Sequence, residues 1–356
     1  MRVDRLSIER YRNLHAVSIE PSDGVNIFYG DNAQGKTNLI EAIWLFTGGK
    51  SFRGSKDSEL VTIGEQAARL EMAFFAADRD QTAVLDIKGR RHATINGVPQ
   101  RSAGALAGRF CAVVFSPAHL SLTEDGPDLR RRFIDAAYCQ LRPAYMSIMA
   151  DYQKTLAQRN ALLKDGRFAD EALLDVFDER LAVAGVKVMA ARTAYVKKLA
   201  PIAADKHGGL SAGKETLTLR YEPTADGTSP EALLGCIRAA RAADMAAGFT
   251  TVGPHRDELA VEIDGFAVRR YGSQGQKRSA VLSMKLAEAA LIEDVIGEKP
   301  VILLDDVMSE LDATRQDFLV HHMAGEQVFI TCCDPDAVGR FGNKHFYVEN
   351  GRITGQ

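Results

Sequence analysis

The chain has 356 residues, 46% hydrophobic and 26% charged, with 44 basic against 47 acidic side chains. That apolar content excludes global disorder, and the length allows about two domains around a buried core that needs no disulfide or metal staple. A net charge of −3 is not that of a uniformly basic nucleic-acid binder, so contact with a polyanion has to come from a local patch or a groove made on assembly.

Met1-Arg2-Val3-Asp4-Arg5 opens the chain without the apolar stretch of a secretory leader. Val3, Leu6 and Ile8, then Val17 and Ile19, predict two short strands joined at Tyr11-Arg12-Asn13-Leu14. Val25–Tyr29 reads as a strand that stops at Gly30. Leu39, Ile40, Ala42, Ile43, Leu45 and Phe46 then recur at helical spacing. Residues 69–76, 82–88 and 92–98 form a predicted meander with an Asn96-Gly97 turn. Residues 110–115 read as a buried strand stopped by Ser116-Pro117. From about Asp128 to Asp205 the spacing predicts two or three long helices, broken near Lys164-Asp165-Gly166 and ended near His207-Gly208-Gly209. A strand at 215–222, a helix at 230–247, a strand at 259–263 and a helix at 275–296 follow. Val301–Asp305 is a fully buried strand pattern, and a helix at 313–323 with strands at 327–331 and 345–349 closes the chain. This order predicts an α/β fold in three parts: 1–120, a mainly helical insert at 121–245, and 246–356. No run of about 18 apolar residues predicts a membrane span. Cys111, Cys139, Cys236, Cys332 and Cys333 form no C-x-x-C pair and read as reduced thiols of a cytoplasmic protein.

Gly30-Asp31-Asn32-Ala33-Gln34-Gly35-Lys36-Thr37 matches G-x-x-x-x-G-K-[ST] between a predicted strand and helix. Glycines let the backbone curl so that successive N–H groups converge on phosphate oxygens, and the helix N-terminus adds partial positive charge. Lys36 reaches β- and γ-phosphates in such a loop, and the Thr37 hydroxyl is a ligand for Mg²⁺. Asp305, at the C-terminal end of its strand, faces the crevice where α/β sheets bind ligands and is the expected second Mg²⁺ residue. Asp306 is the expected group that orients or deprotonates the attacking water. Lys36 and Asp305 lie 269 positions apart, so a large insertion separates two strands that are neighbours in space.

Tyr271-Gly272-Ser273-Gln274-Gly275-Gln276 opens the 275–296 helix. Its position after the phosphate loop and before Asp305-Asp306 resembles the head domains of ABC-type ATPases. In such heads Ser273 and the N–H groups near Gly275 would cap a γ-phosphate held by a second copy, not by their own loop. Ser309-Glu310-Leu311-Asp312 resembles the loop that crosses that dimer seam.

The resemblance narrows with further blocks. Tyr11-Arg12-Asn13-Leu14, Lys50-Ser51-Phe52-Arg53, Phe115-Ser116-Pro117, Gly126-Pro127 with Arg131-Arg132, and Gly253-Pro254-His255-Arg256-Asp257 all resemble the RecF family of bacterial recombinational-repair ATPases, across essentially the whole chain. The absence of a long heptad array sets it apart from SMC and RecN relatives. The resemblance implies an ATP-dependent homodimer that binds duplex DNA or duplex–single-strand junctions without sequence preference and hydrolyses ATP slowly. It also implies work with RecR and RecO in placing RecA at gaps. Residue by residue, it implies nucleotide contacts at Arg12, Asn13, Gly30, Asn32, Ala33, Gln34, Gly35, Lys36, Thr37 and Asn38. Ser273 and Gln276 would act in trans, Thr37 and Asp305 on the metal, and Asp306, Lys36 and Ser273 in catalysis. Asp306 is one methylene shorter than the glutamate of fast ABC ATPases, which predicts slow turnover. Ala118-His119 departs from the family's acidic pattern, and Thr331 falls at the switch position. A second reading keeps an SMC-like head in which ATP serves only to join two copies into a recognition module.

Basic clusters occur at Lys50, Arg53, Lys56; Lys88, Arg90, Arg91; Arg130-Arg131-Arg132; Lys187, Arg192, Lys197, Lys198; and Arg269-Arg270. Each by itself reads as a solvated face. No aromatic residues interleave with them, which argues against a single-strand stacking platform.

Overall fold

The computed structural model describes residues 1–164, 171–334 and 342–355. Strand Arg2–Tyr11 buries Val3, Leu6, Ile8 and Tyr11 in one core, the three-residue step from Val3 to Leu6 being made by a bulge between Val3 and Arg5. Its neighbours are Leu14–Ile19 on one side and Ala68–Ala76 on the other, followed by Arg79–Lys88, Arg90–Ile95 and Val98–Pro99 in a six-stranded antiparallel sheet.

A second six-stranded sheet carries the continuously apolar strands. Its order is Arg352–Gly355, Lys344–Glu349, Val25–Tyr29, Val328–Cys332, Val301–Asp305, Ala112–Phe115, parallel except at the first edge. Both faces are covered. Val301 and Leu303 enter the core shared with the antiparallel sheet and helix Lys36–Leu45. Ile302 and Leu304 enter the opposite core, under helices Gln274–Ile296 and Glu171–Leu210. A period of two buried on both sides produces the unbroken apolar run seen in the sequence. The edge strand Arg352–Gly355 was not expected from sequence, because only Ile353 among its residues is strongly apolar.

Between the halves of this sheet run Pro127–Leu141, Ala144–Lys164 and Glu171–Leu210. Two of the three positions of the expected break at Lys164-Asp165-Gly166, 165 and 166, lie outside the described residues. Glu171–Leu210 runs three residues past His207, because that side chain is buried and tied to Glu215 at 3.1 Å and to Ser283 at 3.3 Å, which holds the last turn. The helix expected over 230–247 is two, Pro230–Ala239 and Arg241–Ala247, meeting at Ala240. Leu217–Glu222, Glu258–Ile263 and Phe266–Ala267 form a small third sheet.

Gly253-Pro254-His255-Arg256-Asp257 is a brace between helices and this small sheet. Arg192 donates to the Pro254 carbonyl at 2.5 Å and Arg131 to the Asp257 carbonyl at 2.6 Å. The Asp257 carboxylate accepts from Tyr221 and from the backbone and hydroxyl of Thr224. His255 Nε2 donates to the Thr250 carbonyl at 2.9 Å, which leaves Nδ1 to accept from the Tyr152 hydroxyl at 2.7 Å. That arrangement needs a neutral ring, and burial lowers its pKa from the ordinary 6.5. Burial lowers His119 in the same direction, further. A histidine whose folded pKa is depressed stabilises the fold above its unfolded pKa and loses that contribution as pH falls, since the unfolded chain takes the proton first. The urea midpoint should therefore drop between about pH 7.5 and about pH 5.5, and drop less in His255→Gln. Equal acid sensitivity in the two proteins would remove His255 from this account.

Candidate functional site

The phosphate loop sits at the C-terminal end of Val25–Tyr29 and opens helix Lys36–Leu45. Gly30 has φ +148°, and a Cβ there would collide with the Val348 carbonyl oxygen, so the loop can seat on the sheet only with glycine. The Gln34 carbonyl accepts from Gly351 N–H at 3.0 Å, and Gln34 Oε1 from Asn350 N–H at 2.6 Å. Gly351, at φ +71°, has no room for a side chain against the Asn13 carbonyl. The loop is thus wedged between the Asn13 turn and the C-terminal hairpin. Asn350-Gly351 is a turn signal visible in the sequence that was not assigned to the site.

Lys36 is buried, its Nζ held inside the loop by the carbonyls of Gly30 at 2.5 Å and Asp31 at 2.9 Å, with Cys333 Sγ at 3.6 Å. Asn32 Oδ1 accepts from Cys333 at 3.0 Å, and Ala33 sits in the left-handed region at φ +64°. Asn13 Nδ2 donates to the Ala33 carbonyl at 3.1 Å, and its Oδ1 accepts from Asn38 at 2.7 Å. Asn38 Oδ1 in turn accepts from Arg53 at 2.9 Å.

Arg12 lies beside this group but is committed elsewhere. Its guanidinium binds both carboxylate oxygens of buried Glu41 at 2.9 Å, and also Ser55 and the Glu59 carbonyl. Tyr11 and Ser51 complete the shell of Glu41. Glu41 escaped the sequence reading, which took Arg53 as part of a family block and a basic cluster and not as a neighbour of Asn38. The one available signal was a carboxylate inside the apolar stripe of the loop helix.

The strand end closes the site from the other side. Thr37 Oγ1 donates to Asp305 Oδ1 at 2.8 Å across 268 positions of chain, and Thr331 Oγ1 donates to the same oxygen at 3.0 Å. Burial raises the Asp305 carboxyl above its ordinary 3.8, and the Thr37 and Thr331 hydrogen bonds oppose that rise. Asp306 has φ +52°; its N–H donates to Thr331 Oγ1 at 3.0 Å and its carbonyl accepts from Ser309 at 2.9 Å. Thr331 therefore bridges the two aspartates at the expected switch position. One hydroxyl and one carboxylate oxygen 2.8 Å apart are hard oxygen donors that suit Mg²⁺, which takes one or two protein ligands and draws the rest from phosphates and water. Among the described residues no group of three or more His, Cys, Asp or Glu offers an all-protein cage.

Ser273 caps helix Gln274–Ile296. Its Oγ accepts from Gln276 N–H at 3.2 Å while Gln276 Oε1 accepts from Ser273 N–H at 2.9 Å. Gln276 Nε2 also reaches Glu215 at 3.0 Å. Ser273 is exposed, and among the described residues neither it nor Gln276 bonds to the phosphate loop of the same chain. Arg278 holds the Glu310 carbonyl at 2.5 Å and its carboxylate at 2.9 Å, and Arg315 joins Asp312 to the Gly275 carbonyl, so this helix and the 309–312 loop are tied together. Nothing in the sequence pattern singled out Arg278 or Arg315.

A phosphate loop, a paired aspartate at the adjacent strand end and an outward-facing capped serine define the head of an ABC-type ATPase. The family described as RecF/RecN/SMC N terminal domain matches residues 2–350. A DNA replication and repair protein RecF of Agathobacter rectalis is 39% identical over 360 residues, spanning 99% of both chains. That of Acetivibrio thermocellus is 37% identical over 366 residues, again 99% of both. A solved structure of the recombination mediator protein RecF with ATP, in the RecFOR pathway, superposes with a TM-score of 0.92 at 35% identity, covering 100% of this chain and 97% of that one. The Smc head domain of Pyrococcus furiosus shares the fold at a TM-score of 0.57 and 15% identity, covering 100% and 96%. The chain belongs to the RecF family. Among the described residues no helix is long and apolar enough to cross a membrane.

Proposed function

We propose that the chain binds ATP with Mg²⁺ in its phosphate loop, pairs with a second copy around two such nucleotides, and hydrolyses them slowly as the switch of a clamp on duplex or gapped DNA. In this reading it serves recombinational repair and replication restart with RecO and RecR, assisting RecA loading. The ATP-bound relative supports the nucleotide, and the family supports the repair setting. The observation that carries the reading is the 2.8 Å bond between Thr37 and Asp305, which joins loop and strand end into one oxygen-donor pair.

The residues then divide the work. Backbone N–H groups of Asn32 to Thr37, with Asn13 and Asn38 bracing them, hold the phosphates. Lys36 exchanges the carbonyls of Gly30 and Asp31 for β- and γ-oxygens. Thr37 and Asp305 would hold Mg²⁺, which supplies charge neutralisation at the β- and γ-oxygens. Asp306 accepts the proton of the attacking water. Ser273 and Gln276 of one copy close over the γ-phosphate held by the other, because Ser273 is exposed and, among the described residues, neither side chain bonds to the phosphate loop of its own chain. The insert at 121–245 acts as a lobe of this head, with its long helix packed on Gln274–Ile296.

Light scattering tests the closure. Wild type should be dimeric with ATP and monomeric with ADP or no nucleotide. Ser273→Arg should stay monomeric with ATP while still binding it, whereas Lys36→Arg should lose both. A Ser273→Arg protein that dimerises normally would overturn the trans-acting cap.

A further inference from the structure

Two basic clusters far apart in sequence meet in space. Arg91, in strand Arg90–Ile95, pairs with Asp57 at 3.0 Å, donates to the Gly49 carbonyl at 2.5 Å and takes Asp57 Oδ2 on its own N–H at 3.2 Å. It thereby pins the 88–92 hairpin tip to the 49–57 loop and consumes the carboxylate of Asp57. Glu59 is occupied as well, accepting from Lys56 N–H at 2.9 Å. Lys50, Arg53, Lys56, Lys88 and Arg90 remain exposed, and among the described residues none of them has an ion-pair partner. Lys88 and Arg90 even stand directly opposite each other across the turn at Gly89, a like-charge pairing that costs stability. Arg53 reaches Asn38, so the 49–57 segment also touches the helix that the phosphate loop opens.

We propose that this joined surface, 49–57 with 88–92, is where the chain grips a phosphodiester backbone. The inference rests on the DNA-binding reading above and names the surface that reading lacks. Five cations with no ion-pair partner among the described residues, on two joined segments of a chain of net charge −3, match a polymer with a negative charge every ~1.7 Å. Phe52, the aromatic residue within the 49–57 loop, is half-buried, so the surface offers charge and no base-stacking platform, and its contacts are independent of sequence.

Fluorescence anisotropy with a labelled duplex of about 30 base pairs, in ATP, tests it across a salt series. The double variant Lys56→Glu, Lys88→Glu should weaken binding by about tenfold or more and flatten the log–log salt slope by roughly two. The double variant Lys197→Glu, Lys198→Glu carries the same charge change on the helical lobe and should stay within about twofold of wild type. Equal thermal midpoints for all three proteins show that the fold is intact. Unchanged binding in the first variant, or equal weakening in both, overturns the surface. Failure of the wild type itself to bind the duplex overturns the DNA reading beneath it, and a polyglutamate peptide that competes as well as duplex would reassign the surface to an acidic protein partner.

Discussion

Asp306→Asn should leave ATP binding intact and lower steady-state hydrolysis by about 10²–10⁴-fold, the range for losing a positioned general base and equivalent to about 3–5 kcal/mol of barrier. Asparagine suits the test because the backbone at 306 is left-handed, φ +52°, where Asn is tolerated and Ala is strained. The loop's own anchors are backbone groups: the Asp306 N–H to Thr331 and the Asp306 carbonyl to Ser309. They survive the substitution, so what is lost is the carboxylate charge. The Asp306 charge also raises the neighbouring Asp305 carboxyl, so its removal eases ionisation of Asp305 and does not weaken the metal-binding pair. Single-turnover hydrolysis and a fluorescent-nucleotide titration read the two quantities separately. Hydrolysis within about twofold of wild type would show that Asp306 is not the base.

Arg159→Ala should cost about 3–5 kcal/mol of unfolding free energy. Arg159 is fully buried in the helical lobe. It donates to Asp178 and to Asp244 at 2.6 Å each, and to Thr250 at 2.8 Å. Asp178 keeps a second cation, since Arg241 also donates to it at 2.6 Å. Among the described residues Asp244 has only the backbone and hydroxyl of Thr251 besides, so truncation leaves a carboxylate without a counter-charge in a buried interior. Neutralising that carboxylate in Arg159→Ala, Asp244→Asn should recover part of the loss. Urea unfolding of wild type, Arg159→Ala, Asp244→Asn and the double variant measures it; additive penalties in the double variant would mean that the two side chains do not act as a pair.

What was legible in the sequence was chemistry that depends on a short window. Gly30 to Thr37 announces a phosphate loop because its backbone curl requires glycine at fixed offsets. Val301–Asp305 announces a central strand because both of its faces are buried. The helix opening at Tyr271–Gln276 was readable for the same reason, and the structure adds the reciprocal Ser273–Gln276 capping box. The Gly253–Asp257 string was recognisable as a pattern, but its work as a brace was not, since Arg131, Tyr152, Arg192 and Tyr221 come from four other elements.

The amino-acid sequence alone determined the class of fold, most of the order of its strands and helices, and the phosphate-loop string and paired aspartates that we propose meet a nucleotide. Only the tertiary structure decided which long side chains are spent on the fold and which stay free. Arg12 is taken by Glu41, Arg91 by Asp57 and Arg159 by Asp178 and Asp244, whereas Lys56, Lys88 and Arg90 are left to solvent. Backbone propensity and burial period act over a few residues and leave their mark in the local string. A guanidinium pairs with whatever carboxylate packing delivers to it, and that choice is made across tens to hundreds of residues.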